Sequence, residues 1–325
     1  MTGALSILHA PLPGLTQFVT VGESLIAFSS DHRWRSSAAA HVRTAGAESN
    51  VAIAVVRLGG TATWMGRVGA DGLGERVIAD LQAEGLVVKA VLDPSPTSLI
   101  VKERRHPDLT RVEYHRGDGP GAHLRPEDLD PASIAGAAIL HLTGVTAALS
   151  ASALETVRAA IAIAKSAGVL VSFDVNYRSK LWSVATARPV LRVLAAEADL
   201  LFVGDDELHL LTHEIGDDLT AAEWALDQGV REVVLKRGAR GAAAVVRGRI
   251  VETDARRTRV VDAVGAGDAF AGGYIAELLA GHDLDARLAT GVACGAAAVA
   301  SAGDWEDSLT RADLRALDSS ARVDR

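Results

Sequence analysis

The sequence has a single cysteine, Cys294, and few aromatic residues, which make up 4% of the chain. One thiol excludes an intrachain disulfide and a thiolate metal site, and it fits a reducing compartment. The chain also lacks a run of about 18 uncharged apolar residues and an N-terminal charged region followed by an apolar stretch. We therefore expect a cytoplasmic protein that does not enter a membrane.

Basic residues are in the minority, with 33 Lys and Arg against 41 Asp and Glu and a net charge of -8. Such a chain repels polyanions unless its basic residues cluster, and the two concentrated basic runs, 102–105 and 256–257, are short. We expect no nucleic-acid partner. The 325 residues, 49% of them hydrophobic, are enough for one large α/β domain or two smaller ones.

Short apolar segments that predict strands alternate with segments whose apolar residues have helical spacing. This alternation predicts a parallel sheet covered by helices on both faces, which binds its ligands at the carboxyl ends of the strands. The predicted strands are Phe18–Gly22, Thr63–Val68, Ala138–Leu142, Leu170–Asp174, Leu200–Val203 and Glu232–Lys236, and the predicted helices are Leu73–Glu84, Ser152–Ala167, Ala185–Ala196, Ala221–Gln228, Ala266–Leu279 and Ala289–Ala302.

Two segments, at about 26–44 and 97–116, interrupt this alternation with short strands and turns. They are expected to pair into a small separate sheet, which could serve as a lid over a cleft. Residues 18–310 are then one domain, and residues 1–17 and 318–325 are loose termini.

The segment from Val261 to Phe270 carries the sharpest chemical signal, because Gly265, Ala266, Gly267 and Asp268 lie where a helix begins. Glycines and unpaired N–H groups at a helix start favour an anion such as phosphate. A carboxylate at that point suits a general base that accepts the proton of an attacking hydroxyl. An ordinary first-turn carboxylate beside a glycine turn is the alternative, and a dinucleotide fingerprint is a weaker one, since Phe270 replaces its third glycine.

Residues 262–268 resemble the D-T-x-G-A-G-D signature of the PfkB carbohydrate kinases, and residues 45–52, 58–60 and 66–74 resemble the family's first signature. The resemblance extends from about residue 18 to residue 303. It implies a ribokinase-like three-layer αβα fold with a mostly parallel central sheet and a small β-sheet lid. It also implies ATP and Mg²⁺ as cofactors, Asp268 as the base, an anion site at Gly265 to Gly267, and a homo-oligomer formed through the lid.

The sugar site implied by the resemblance includes Gly46, Ala47 and Asn50, with Asp268 at the reacting hydroxyl. Glycine would let a sugar approach the backbone, and the amide of Asn50 offers a donor and an acceptor to hydroxyls. Alternatively, Asn50 caps a helix that begins there.

Residues 111–118 resemble the Y-Y-R segment of the 2-keto-3-deoxygluconate kinases, in which Tyr114 and Arg116 would hold the acid group of the substrate. Two departures alter that pocket, since His115 replaces the second tyrosine and Ile100 stands where the family has an aromatic residue. A sugar acid, 2-keto-3-deoxygluconate, is therefore the first prediction, and fructose or another neutral family substrate is the alternative.

Residues 172–182 resemble the D-x-N-x-R-x-x-L-W segment of the same kinases and of fructokinase-like relatives. The resemblance assigns Asn176 and Arg178 to the phosphates of the nucleotide, and Arg178 also to the substrate. A forked guanidinium suits a phosphate or a carboxylate, although a surface ion pair is the simpler alternative for a lone arginine.

Lys236, Gly238 and Gly241 resemble the family's K-x-G-x-x-G segment, which makes room for the nucleotide, although a hairpin turn has the same pattern. Glu207 resembles the last residue of the N-x-x-E motif and is predicted to contact magnesium through water, with capping of the next helix as the alternative.

Two further positions depart from the family pattern. Gly204 replaces the asparagine of N-x-x-E, and Ala263 replaces the threonine of the signature. These losses motivate an alternative from another class, a sugar- or nucleotide-binding regulator that has lost catalysis. Neither loss touches Asp268, so an active kinase is the first prediction.

Overall fold

The computed structural model describes residues 16–30, 32–106, 109–212 and 218–318. Residues 1–15 and 319–325, most of the termini that were expected to be loose, lie outside the described residues. In chain order the strands are β1 (Phe18–Val21), β2 (Leu25–Ser30), β3 (His41–Ala45), β4 (Ala62–Gly69), β5 (Val87–Asp93), β6 (Leu99–His106), β7 (Leu109–His115), β8 (Ile139–Thr143), β9 (Leu170–Asp174), β10 (Leu200–Gly204), β11 (Glu232–Lys236), β12 (Ala242–Val246) and β13 (Arg249–Thr253).

The described helices follow the strands in the expected alternation. They are α1 (Ala47–Arg57), α2 (Gly72–Ala83), α3 (Pro131–Ala135), α4 (Gly144–Leu149), α5 (Ala151–Ser166), α6 (Val184–Ala196), α7 (Leu208–Leu211), α8 (Asp218–Asp227), α9 (Ala266–Leu279), α10 (Leu284–Val299) and α11 (Arg311–Asp318). None of these helices combines the length and apolar composition that crossing a bilayer requires.

Nine strands form the large sheet, in the order β13-β12-β11-β10-β9-β8-β1-β4-β5. Its strands are parallel from β11 to β5, and β12 and β13 add an antiparallel edge. One hydrophobic cluster packs α5, α6 and α8 on one face, and a second packs α1, α9 and α10 on the other. The three-layer αβα architecture that the resemblance implied is confirmed.

The other four strands form a small sheet in the order β3-β2-β6-β7, so the two strand-rich segments do pair with each other. The strands β2 and β6 are parallel, and the outer pairs are antiparallel. One face of this sheet carries a small apolar cluster of Leu25, Ala27, Ala45 and Ile100. We call this sheet the lid, because its apolar cluster includes residues that line the cleft described below.

Several helix boundaries differ from the sequence-based expectation, among them the start of α8 at Asp218 instead of Ala221 and the start of α10 at Leu284 instead of Ala289. The helix α1 begins at Ala47, with Gly46 as its N-cap, so Asn50 lies inside the first turns and does not cap it. The helix α10 ends at Val299 instead of continuing to Ala302. Alanine-rich composition favours continuation, but Gly303 has a φ of 119°, which is outside the helical region, and the chain bends there.

Parallel order brings the carboxyl ends of β8 to β11 to one edge of the large sheet. Thr143 pairs with Asp174, and Gly204 pairs with Lys236, so polar residues at three of these four strand ends lie close together. The glycine-rich turn at the start of α9 lies at the same edge, since Asp268 bonds to a residue that follows β9. This edge and the lid enclose the candidate site.

Candidate active site

A cleft between the lid and the carboxyl edge of the large sheet gathers most of the predicted substrate and catalytic residues. Glu23 and Asp304 also line this cleft. The predicted residues that line it are Gly46, Ala47, Asn50, Tyr114, Arg116, Arg178, Gly265 and Asp268.

Of the two glycines at the start of α9, only Gly265 is required by the backbone. Gly265 is the N-cap and has a φ of 78°, and a Cβ there would lie 2.5 Å from the carbonyl oxygen of Asp304. At Gly267 an added Cβ would meet only the Nζ of Lys236, at 3.5 Å. An open backbone at a helix start, with an ammonium group facing it, fits a phosphate group.

Asp268 lies in the first turn of α9 and is buried. Its Oδ2 accepts a hydrogen bond from the Nδ2 of Asn50 at 2.9 Å, and its Oδ1 accepts one from the Nδ2 of Asn176 at 3.2 Å. Burial raises the pKa of Asp268 to about 6, against the opposing effects of the Arg178 charge and the Asn50 amide. The group is therefore ionised at neutral pH and basic enough to accept a hydroxyl proton in the transition state.

The two asparagines hold the base from opposite sides. Asn176, which the resemblance had assigned to the nucleotide, contacts Asp268 directly and has a φ of 38°, an uncommon conformation for a residue with a side chain. The Oδ1 atoms of Asn50 and Asn176 are buried and have no partner among the described residues. Because buried acceptors are normally paired, these oxygens are available to donor groups of a ligand.

Lys236, whose side chain is 16% exposed, forms an ion pair with the buried Asp174, at Nζ to oxygen distances of 2.7 and 2.8 Å. Burial opposes the charge of Lys236, but the carboxylates of Asp174 and Glu207 outweigh it and raise the pKa of the ammonium group. The ammonium group is thus fixed beside the Gly267 turn. Sequence reasoning had not assigned Asp174 to the site, although its place at the end of β9 in the D-x-N-x-R segment was a usable signal.

Glu207, the predicted magnesium contact, is buried and accepts two backbone hydrogen bonds. Its Oε1 accepts from the N–H of Tyr177 and its Oε2 from the N–H of Gly204, both at 2.7 Å. Its side chain makes no capping bond to α7, so the capping alternative is wrong. Glu207 instead links the segment after β9 to the end of β10 through these two hydrogen bonds. Its contact with magnesium remains a prediction.

The space left by the missing asparagine side chain at Gly204 is partly filled. The Oδ1 of Asp206 lies 2.9 Å from the position that a Cβ on Gly204 would take. The described residues contain no cluster of three or more His, Cys, Asp or Glu side chains that could hold a metal ion. This fits Mg²⁺ in a nucleotide site, which takes one or two carboxylates together with phosphate oxygens and water. Asp206 and Glu207 are the carboxylates that could hold it here.

Gly238 and Gly241 lie in the hairpin between β11 and β12, so the hairpin alternative and the glycine pattern describe the same turn. Their φ angles are 54° and 89°, and a Cβ on Gly241 would lie 2.0 Å from the carbonyl oxygen of Thr253. The turn requires glycine for its own backbone. A role of these glycines in nucleotide binding remains a prediction.

At the lid end of the cleft, Arg116 is stacked on Tyr114, with its guanidinium carbon 4.4 Å from the ring centroid. Its Nη1 donates a hydrogen bond to the Oε2 of Glu23 at 2.9 Å. Arg178 lines the same cleft from the opposite side and is exposed. The cleft therefore presents two guanidinium groups, one of which already has a carboxylate partner.

Gly46 lines the cleft for a reason that differs from the expected one. A Cβ at this position would lie 2.5 Å from the carbonyl oxygen of Glu23 and 2.7 Å from the Oγ of Ser49. The absence of a side chain thus lets the start of α1 pack against the segment that carries Glu23. The expected approach of a sugar to this backbone remains a prediction.

Comparison with known proteins agrees with this geometry. The model of the pfkB family of carbohydrate kinases matches residues 15–311. The chain is 36% identical to the 2-dehydro-3-deoxygalactonokinase of Haloferax volcanii over 86% of this chain and 90% of the relative. It is 35% identical to the 2-dehydro-3-deoxygluconokinase of Bacillus subtilis over 86% of this chain and 87% of the relative.

A ribokinase-like structure from Escherichia coli, solved in complex with ATP and Mg²⁺, superposes with a TM-score of 0.85 at 25% identity, over 93% of this chain and 98% of that one. Kinases of this family use ATP with Mg²⁺. The chain belongs to the pfkB family of carbohydrate kinases and is an ATP-dependent sugar kinase.

Proposed function

We propose that this kinase transfers the γ-phosphoryl group of ATP to the 6-hydroxyl of 2-keto-3-deoxygluconate. The observation that carries the proposal is a buried carboxylate, Asp268, in one cleft with the guanidinium group of Arg116. A neutral sugar needs no cation, whereas a carboxylate in a closed cleft is costly without one. The similarity to kinases of 2-dehydro-3-deoxyhexonates supports the same substrate class.

In this proposal Asp268 removes the proton from the 6-hydroxyl as that oxygen attacks the γ-phosphorus. The amides of Asn50 and Asn176 fix both oxygens of the base, so the carboxylate does not rotate away from the hydroxyl. The N–H groups of Gly265, Ala266 and Gly267 receive the negative charge of the phosphoryl oxygens, as unpaired donors at a helix start do.

The nucleotide phosphates lie between this turn and the hairpin that follows β11. Lys236, held by Asp174, and Arg178 neutralise phosphate charge from two directions. When bound, Mg²⁺ would supply positive charge that offsets the charge of the phosphates, and Asp206 and Glu207 are the residues that would hold it.

The acid group of the substrate binds at the lid end of the cleft. Arg116 offers its Nε–H, which is buried and has no partner among the described residues, although its Nη1 is engaged by Glu23. Arginine has five N–H donors and can bind two anionic groups at once. The ring of Tyr114 stacks on the guanidinium of Arg116 and restricts its orientation.

The C4 epimer, 2-keto-3-deoxygalactonate, is the second candidate, because the Haloferax relative named for it shares 36% identity with this chain. Fructose is the neutral alternative, favoured by Ile100, which replaces an aromatic residue in the substrate cleft. A binding protein without catalysis is the alternative from another class. The retained base and its two amide partners argue against it.

An ADP-release assay over both epimers, gluconate, fructose and ribose tests the proposal, with 2-keto-3-deoxygluconate expected to give the highest kcat/KM. Asp268→Asn keeps the shape of the side chain and is expected to lower kcat by about 10²- to 10⁴-fold. The control Asp285→Asn makes the same change at an exposed position of α10. Retention of more than about a tenth of kcat in Asp268→Asn would contradict the role of the base.

Arg116→Ala separates the sugar classes. The variant is expected to lose activity on acids and to retain it on fructose, because only an acid needs the guanidinium. An equal loss on both would show that Arg116 does not bind a carboxylate. Ligand-induced thermal stabilisation without ADP release from any sugar would favour the binding protein.

We further propose that residues 18–310 act as one kinase domain and that the protein works in the cytoplasm as a homo-oligomer formed through the lid. The edge strands β3 and β7 of the lid leave backbone groups that another chain could pair with. Analytical ultracentrifugation tests the oligomer. A monomer at micromolar concentration would contradict this part of the proposal.

A further inference from the structure

The ion pair between Glu23 and Arg116 gives the cleft a charge balance of its own. Glu23 lies in the turn after β1, and Arg116 follows β7 in the lid. Their contact, Oε2 to Nη1, is 2.9 Å long, and the side chains are 2% and 8% exposed. The positive charge of Arg116 is therefore compensated before any substrate enters.

Each partner keeps one polar atom without a partner among the described residues. For Glu23 this atom is Oε1, and for Arg116 it is Nε, and both are buried. Gly121 packs on the carboxylate, since a Cβ added to Gly121 would lie 2.9 Å from Oε1. Tyr114 packs on the guanidinium. The pair is thus fixed by its neighbours, and each partner has a buried polar atom that a ligand could bind.

This arrangement treats acids and neutral sugars differently. A neutral polyol can enter beside an intact ion pair. A carboxylate that binds the Nε–H of Arg116 shares the guanidinium with Glu23 and meets the charge of Glu23 at short range. Glu23 therefore lowers the preference for acids that Arg116 creates.

We infer that Glu23 is a specificity-determining residue that acts through Arg116 and sets the ratio of acid to neutral sugar binding. The inference rests on the proposed sugar-acid function of the cleft. The ligand class that fits is a hydroxylated acid, whose carboxylate binds Arg116 and whose hydroxyl donates to the free Oε1 of Glu23. An acid without a hydroxyl in reach leaves that carboxylate oxygen unpaired, which is unfavourable in a buried site.

The test uses two probes that differ only at one end, gluconate and glucitol, as inhibitors of the ADP-release reaction. Glu23→Gln keeps the size of the side chain and an acceptor for Arg116 but removes the charge. We expect the ratio of the glucitol to the gluconate inhibition constant to rise about tenfold, the order expected when one nearby charge is removed from a partly screened cleft. Glu23→Asp, which withdraws the charge by one methylene, should raise the ratio by a smaller factor.

The matched control is Glu113→Gln, which removes the same charge from an exposed position of the lid, where Glu113 pairs with Arg111. It should leave the ratio unchanged. In an Arg116→Gln background the effect of Glu23→Gln should disappear, because an acid that no longer binds the guanidinium is no longer held beside Glu23.

A ratio that stays constant or falls in both Glu23 variants would overturn the inference, and so would an equal change in Glu113→Gln or an effect that persists without Arg116. Failure of the proposed function gives a different result, namely a wild-type enzyme that phosphorylates neutral sugars in preference to keto acids. The inhibitor ratio is measured against whichever sugar the enzyme accepts. The two outcomes are therefore separable.

Discussion

Removing the amide of Asn50 should make the catalytic base titrate at a higher pH. In the wild-type protein burial raises the pKa of Asp268 to about 6, and the hydrogen bond from Asn50 is one of the interactions that hold it down. A hydrogen bond to an ionised group contributes about 1.5–3 kcal/mol, and one pKa unit corresponds to about 1.4 kcal/mol. Asn50→Ala should therefore raise the pKa of Asp268 by about one to two units.

The assay is the pH dependence of kcat/KM at saturating MgATP, from about pH 4.5 to 9. This parameter follows the pKa of the sugar-free enzyme, so a weaker sugar affinity of the variant lowers the curve without moving its midpoint. The wild-type curve should rise with pH and have its midpoint near 6, because the deprotonated carboxylate is the active form. The Asn50→Ala midpoint should lie at about 7 to 8.

Ser49→Ala is the matched control. Ser49 lies on the same turn of α1 but bonds to the carbonyl of Gly46 and to Ser24 instead of Asp268. The pH curve of Ser49→Ala should have the same midpoint as that of the wild-type enzyme. An Asn50→Ala curve that is lower but has an unchanged midpoint would refute the reasoning, because the titrating group would then not be the carboxylate that Asn50 contacts.

Three further predictions concern stability. Asn176→Gly should be more stable than Asn176→Ala by about 1 kcal/mol in urea unfolding, since only glycine adopts a φ of 38° without strain, and equal stabilities would contradict this. Burial raises the pKa of Glu48 to about 7, so the free energy of unfolding should fall by roughly 3 kcal/mol as pH rises from the unfolded value of 4.5 through 7. Glu48→Gln should remove this fall, and an unchanged pH profile would count against it. Lys102→Met should lower the free energy of unfolding by about 3 kcal/mol, because it leaves Asp304 unpaired in a buried site. Adding Asp304→Asn should recover part of this loss, and additive losses from the two substitutions would refute the coupling.

The repeating part of the fold could be predicted from local sequence. Leu170–Asp174, Glu232–Lys236 and Ala266–Leu279 have the bounds that their apolar patterns indicate. These segments are buried on both faces or lie at a strong turn signal, so local pattern and tertiary environment agree. The antiparallel strands β12 and β13 were missed, because Ala-rich β12 has little strand propensity and gains its conformation from pairing with β11.

The glycine-rich turn before α9 could also be predicted, since glycines at a helix start have a local physical meaning. The pairings around it could not. Glu23 and Arg116 are 93 positions apart in the sequence, and Lys236 and Asp174 are 62 apart. The pairing of each carboxylate with its cation depends on how the lid packs against the strand ends. No local sequence pattern encodes that packing.

Sequence similarity assigned residues to ligands one by one, whereas the structure shows that these residues first bind each other. Arg116 is paired with Glu23, Lys236 with Asp174, and the lid residue Lys102 with Asp304. A substrate carboxylate or a phosphate that binds at one of these three cations therefore joins an existing ion pair. The net selectivity is then set by the carboxylate of each pair as much as by its cation, so substrate assignment from arginines alone overestimates the preference for acids. For this reason, the charge of Glu23 is the variable that most directly separates a sugar-acid kinase from a neutral-sugar kinase built on the same cleft.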